Sequence, residues 1–241
     1  MTIDSSSVLD NAAWHSLIGP HTEVAVGHGG ARRYQSDVSV FGATDGNSAE
    51  SWAALAEIAP PDGAVVIFRG DPIEAPADWK QAYDGNGFQL VAPSVLSGVP
   101  QLPTVDEATG RQVSLRELAV DDVDEMIALV ALTEPGPFER RTIELGGYVG
   151  IFHDDELVAM AGRRMHPPGY CEISAVCTHP DARRRGYGSI VTAHVASQIA
   201  ADGETPFLHV AGHNLSAKAV YEQLGFTVRR TVRFAVLRVP R

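Results

Sequence analysis

The stretch "GYCEISAVCTHPDARRRGYGS" (169–189) constrains this chain more than any other. It begins as an apolar strand, is broken at Pro180, and then sets three consecutive arginines directly before Gly186 and Gly188. In the run that follows, "SIVTAHVASQIAADG", Val191, Val195 and Ile199 stand four apart, with Gly203 and Pro206 as stop signals, so a helix is expected. A strand, a glycine-rich turn and a helix in that order leave the first backbone N–H groups of the helix free. The helix dipole favours an anion at the same place. Gly186 and Gly188 permit positive φ and a close approach of a ligand to the backbone. Arg183, Arg184 and Arg185 supply neutralising charge. The best-known phosphate fingerprints do not fit. A Walker loop needs Gly-Lys-Ser/Thr, whereas Gly188 is followed by Ser189, and a dinucleotide loop needs a third glycine where position 191 is valine. A solvated turn, a nucleic-acid patch and a phosphate cradle all remain open on these residues alone.

Composition narrows the field. With 44% hydrophobic and 20% charged residues, the 241-residue chain is an ordinary globular protein. Its net charge of -11 argues against nucleic-acid binding. The start, "MTIDSSSVLDNAAWHSLIG", has no basic segment followed by an apolar run, and no stretch reaches the roughly 20 apolar residues needed to span a bilayer. Cys171 and Cys177 lie on one expected strand, about 20 Å apart, too far to bond to each other. A reduced, cytoplasmic protein without membrane partners is expected.

Charge also divides the chain. Residues 1–110 hold 4 Lys/Arg against 14 Asp/Glu, and residues 111–241 hold 15 against 16. Near the division lies "SGVPQLPTVDEATGR", which reads as a linker. The expectation is therefore a smaller α/β domain over 1–110 and a second domain over 111–241. In the first, "GAVVIFRG" and "GFQLVAPSVL" read as strands and "SAESWAALAEIA" as a helix with a serine start. His15, His21 and His28 are scattered and suggest no site. In the second, strand-like "RQVSLRELA" is followed by helical spacing in "VDDVDEMIALVALT" and a second short helix in "ERRTIELGG". Then come a hairpin turning at Asp154-Asp155, the strand 169–179, the helix after the glycines, the strand "PFLHV", a helix "NLSAKAVYEQLG" capped by Asn214, and a final strand. The order is βααβββαβαβ, an α/β (α+β) pattern.

"ISAVCTHPDARRRGYGS" together with "HNLSAKAVYEQLGF" resembles the GNAT superfamily of acetyl-CoA-dependent N-acetyltransferases. Arg183-x-x-Gly186-x-Gly188 matches that family's pyrophosphate loop, and Asn214…Tyr221-Glu222-x-x-Gly225-Phe226 matches its last helix and the strand after it. The resemblance covers 111–241. It implies a mixed sheet flanked by helices, with residues 1–110 outside it; the strands and helix of that first domain are compatible with a degenerate copy, one that lacks a second Arg-x-x-Gly-x-Gly loop.

The resemblance also implies roles. Val176, Cys177 and Thr178 would line the pantetheine arm as a partner strand. Arg183, Arg184, Arg185, Gly186, Tyr187, Gly188 and Ser189 would hold the pyrophosphate, and Asn214 and Tyr221 would border the cofactor. The Val176 N–H would steady the oxyanion. Glu172, four residues earlier and expected on the same strand face as Val176, would be the base, and Tyr221, with an ordinary pKa of ~10, would protonate the departing thiolate. "EPGPF" (134–138) would wall the acceptor, a small-molecule or peptide primary amine. The expected enzyme is a monomer or homodimer without metal. His209 and His213 lack a third ligand, Cys177 has no evident partner base, and Cys171 reads as a small buried hydrophobe. The rival reading is a catalytically inactive coenzyme A-binding regulator, against which the presence of both Glu172 and Tyr221 speaks.

Overall fold

The computed structural model describes residues 7–60 and 62–240. It has the α/β class expected, a large mixed sheet with helices on both faces. The first part of the chain supplies α1 (Ala12–Leu17), β1 (Ala25–Val26), β2 (Ala31–Tyr34), β3 (Phe41–Thr44), α2 (Ala49–Glu57), β4 (Ala64–Arg69) and β5 (Lys80–Val91). The second supplies β6 (Val113–Glu117), α3 (Val123–Thr133), β7 (Val149–His153), β8 (Glu156–Arg163), β9 (Tyr170–Thr178), α4 (Tyr187–Ala201), β10 (Thr205–Ala211), α5 (Leu215–Gln223) and β11 (Thr227–Arg238).

Local chemistry explains many of these boundaries. Ser48 caps α2 by accepting the Ser51 N–H, and Asn214 caps α5 by accepting the Ala217 N–H at 3.1 Å. The β7–β8 hairpin turns through Asp154, whose φ of 53° is a conformation aspartate tolerates better than most residues. The expected helix in "ERRTIELGG" is a single 3-10 turn, Thr142–Leu145, because Gly146 and Gly147, both at positive φ, end it at once.

All eleven described strands form one sheet, in the order β1-β2-β3-β4-β11-β5-β10-β9-β8-β7-β6. Only β3·β4 and β9·β10 are parallel. The expected division near residue 110 falls between β5 and β6, yet strands from its two sides interleave. The last strand, β11, lies between β4 and β5, and β5 lies between β11 and β10. The stretch 80–86 was not expected to be a strand at all. Its "DGNG" reads as a turn, and pairing with β11 along the whole of β5 overrides that local preference.

The core is layered on this sheet. Against one face, α4 presents Val191, Val195 and Ile199, all fully buried, to Val149, Ile151, Ala159, Ala161 and Ile173, joined by Tyr221 of α5 and by Leu224 just past its end. On the other face, α3 buries Val123, Met126 and Leu129 against Phe152, Met160 and Cys177. Burying each large aliphatic side chain contributes about 1.5–3 kcal/mol, so α4 is anchored firmly and its first turn is held at a fixed place beside β9. No helix among the described residues is long and apolar enough to cross a membrane.

Candidate active site

Two parallel strands that stop pairing create the cleft. β9 and β10 pair from Tyr170↔Thr205 to Ile173↔Leu208 and no further. Beyond that point β9 stays with β8 as far as Thr178, while β10 stays with β5 as far as Ala211. The strands therefore part like a V that opens toward the start of α4.

A bulge sharpens the split. Against β8, Met160 pairs with Cys177 and Gly162 with Ser174, so β9 holds one residue more than its partner. Ala175 absorbs it at φ 53°. Ala175 and Val176 thus fall between ladder positions and past the last pairing with β10, which leaves their backbone groups for another partner. The bulge also reverses the side-chain alternation. Val176 packs with Cys171 and Ile173 on the α4 face, while Cys177 points into the α3 core. Even spacing would put Glu172, Ser174 and Val176 on one face, but the extra residue turns Val176 to the opposite side from Glu172.

The loop leading to α4 sorts its three arginines. Arg183 and Arg184 are exposed, and no ion pair among the described residues engages either. Arg184 and Gly186 take φ of 64° and 78°. Arg185 is committed elsewhere. Its Nε lies 2.5 Å from Asp106, a carboxylate only 1% exposed that also accepts the Ala108 and Thr109 N–H groups. Burial works to raise the Asp106 pKa, but those amides and Arg185 outweigh it and hold it below the ordinary carboxylate value. Asp106 also lies 3.3 Å from His153, whose Nε2 is 2.9 Å from the Tyr187 hydroxyl. The Tyr187 side chain is therefore buried in the fold, and only its backbone faces the corner. Sequence reasoning treated 97–111 as an unstructured linker. Instead Asp106 ties it to the loop, and Pro100 sits where a Cβ on Gly186 would come within 2.8 Å.

The first turn of α4 has no side-chain cap. A Cβ at Gly188 would meet nothing nearer than Thr178 Oγ1 at 3.8 Å, so the protein's own packing does not require glycine there. The missing side chain leaves open space alongside Val176 and Thr178, at the mouth of the V. A phosphate-bearing, extended ligand fits this corner, with its anion at the bare amides and its arm along β9.

Tyr221, from α5, is 8% exposed and stands edge-on to Phe226, with ring centroids 6.1 Å apart. Burial pushes its pKa well above the ordinary phenol value, so it keeps its proton at neutral pH. Asn214 is occupied as the cap of α5, its Oδ1 also receiving the Ser216 hydroxyl at 3.0 Å.

Glu172 is placed very differently from the base expected of it. It has no exposed surface. Arg164 grips it from two nitrogens at 2.6 and 2.8 Å, His209 Nδ1 lies at 2.6 Å, and the Met165 N–H donates at 3.2 Å. Burial would raise its pKa, but Arg164 and His209 outweigh burial and hold the carboxyl far below its ordinary value. A carboxylate so stabilised and enclosed is a poor proton acceptor. Its partners reach further: His209 contacts Gln89 of β5 at 3.0 Å, and the Arg164 guanidinium lies 4.9 Å over the Phe41 ring. Glu172 therefore joins β9 and β10 to the first part of the chain.

Comparisons with known proteins agree with this geometry. The family described as FR47-like protein matches residues 148–235. A structure from Novosphingobium aromaticivorans, assigned to the GNAT family as an acetyltransferase, is 33% identical over 95% of this chain and 97% of its own, with a TM-score of 0.81. A GCN5-related N-acetyltransferase from Kribbella flavida is 17% identical over 100% of this chain and 97% of its own, with a TM-score of 0.62. A Drosophila protein is 17% identical over 87% and 74%, also at 0.62. These last two speak for the fold alone. No curated protein matches the sequence.

Proposed function

The chain belongs to the GNAT family, and on that premise we propose that it moves an acetyl group from acetyl-CoA directly to a primary amine of a small molecule or peptide. The observation that carries the reading is the parting of β9 from β10 beside an uncapped helix start. The amides from Arg184 to Ser189 take the pyrophosphate, with Arg183 and Arg184 adding charge from the solvent side. Arg185 acts from behind, holding the loop through Asp106. The unpaired backbone of Val176 and its neighbours Cys177 and Thr178 receives the pantetheine arm.

In the reaction, the amine nitrogen attacks the thioester carbonyl carbon. The Val176 N–H stabilises the oxyanion that forms. The C–S bond then breaks, and Tyr221, still protonated at neutral pH, donates its proton to the leaving sulfur. The phenolate regains a proton as the nitrogen of the new amide loses one. In this reading Glu172 takes no proton, and the acceptor ammonium loses its first proton to solvent before attack.

The test is release of coenzyme A thiol from acetyl-CoA across a panel of amines. Turnover with at least one amine is expected, with kcat/KM rising with pH as the amine itself deprotonates. Binding of acetyl-CoA without turnover on any amine defeats the catalytic reading, and a profile with a limb in the carboxylate range returns Glu172 to the role of base.

A further inference from the structure

At the closed end of the V, away from the phosphate corner, three side chains of metal-ligating type converge. His166 lies between β8 and β9, Cys171 is the second residue of β9, and Glu204 immediately precedes β10. One ligand atom from each lies within 4.8 Å of the other two. His166 Nε2 stands 2.6 and 2.7 Å from the two Glu204 oxygens, facing the middle of the carboxylate instead of addressing one oxygen.

Each member is held by the fold. Cys171 is buried in the sheet opposite Pro206. The Glu204 N–H bonds the Ile199 carbonyl at the end of α4, at 3.2 Å. The His166 N–H bonds Ser16 Oγ at 2.7 Å, and that buried hydroxyl is itself fixed on the Ala12 carbonyl at 2.6 Å. Cys171 is a free thiol, and its role in the proposed acetyl transfer is none. The thiol, the carboxylate and the imidazole nitrogen thus converge on one small volume from three separate segments of the chain.

The donor set decides which cation. One imidazole nitrogen, one sulfur and one carboxylate oxygen suit a borderline-soft divalent ion and not calcium or magnesium, which take oxygen donors. Tetrahedral zinc, with bonds of about 2.0–2.3 Å, sets neighbouring donors roughly 3.3–3.8 Å apart. The three donor atoms lie within 4.8 Å of one another, and the His166 and Glu204 side chains, 27% and 20% exposed, leave a path from solvent. We propose that His166, Cys171 and Glu204 form a zinc-type site with a water in the fourth position, binding with release of the Cys171 proton. Cys171 pairs with Pro206 two residues before the last β9–β10 pair, so the ion ties together the strands whose separation makes the cleft.

The full-length chain without a histidine tag is titrated with Co²⁺ and then with Zn²⁺. The expected result is one equivalent bound, a near-ultraviolet thiolate-to-cobalt charge-transfer band, tetrahedral visible bands, and displacement by zinc. Zinc at about one hundred-fold above its Kd should raise the Tm by roughly 5–10 °C. Cys171→Ser should abolish the charge-transfer band, Glu204→Gln should weaken binding at least about tenfold, and Cys177→Ser should leave the spectrum intact. No cobalt uptake, or a spectrum unchanged in both Cys171→Ser and Glu204→Gln, overturns the proposal. Glu204→Gln exchanges one atom at a partly exposed position, so misfolding does not blur the result.

Discussion

Arginines flank β9 at both ends, and the fold treats them in opposite ways. At the start, Arg164 is buried against Glu172 with two short hydrogen bonds and an aromatic ring over its guanidinium. Past the far end, Arg183 and Arg184 face solvent beside a helix start with no side-chain cap. A charge whose hydrogen-bonding capacity is filled from within the protein can only hold the protein together. A charge left open next to bare amides is available to a ligand. Residue type and spacing made Glu172 and Tyr221 look like equal partners in catalysis. What separates them is whether protein partners have already satisfied the group.

The strongest way to break that contrast is to remove one member of the closed cluster. Glu172→Gln leaves Arg164 buried without its counter-charge, and a loss of about 3–5 kcal/mol in stability is expected by urea denaturation. The folded remainder should keep its kcat, and a thousandfold fall in kcat at unchanged stability would reverse the two assignments. Tyr221→Phe should do the opposite: kcat lower by about 10²-fold or more, with stability altered by less than about 1 kcal/mol. Because burial raises the Tyr221 pKa, it stays protonated through neutral and mildly alkaline pH, and no loss of activity from its ionisation is expected below the ordinary value of ~10.

The open end is sharpened by Gly188→Ala. The added methyl meets no protein atom within 3.8 Å and improves helix propensity by up to about 1 kcal/mol, so the Tm should hold or rise. Acetyl-CoA binding should weaken about tenfold by calorimetry, since the methyl enters the space the ligand needs. The smallest effect belongs to Arg184→Ala. An exposed charge contributes about 0.2–1 kcal/mol, so the KM for acetyl-CoA should rise only severalfold and lose its salt dependence in part.

The strand-to-helix corner before α4 was legible because its signals are local: a strand, Pro180, two glycines and a helical spacing within some thirty residues. The same holds for the Ser48 and Asn214 caps and the Asp154 turn. What escaped is long-range. Arg185 meets Asp106 across the supposed linker, and Glu172 meets His209 from another strand. The bulge at Ala175 has no sequence mark, since alanine rarely takes positive φ, yet it decides which way Val176 faces. β5 was half missed because "DGNG" favours a turn in isolation and becomes strand only between two partners.

That placement of β5 has a consequence for how the molecule can be made. A fragment starting at residue 111 would present β10 and β11 with a missing neighbour, two raw sheet edges prone to sticking to other chains. During synthesis the ribosome releases β5 long before either of its mates exists, so the nascent first portion must wait with unsatisfied hydrogen-bonding groups until nearly the last residues emerge. Slow, long-range folding follows from the weave, and the two portions cannot be traded between proteins as independent modules.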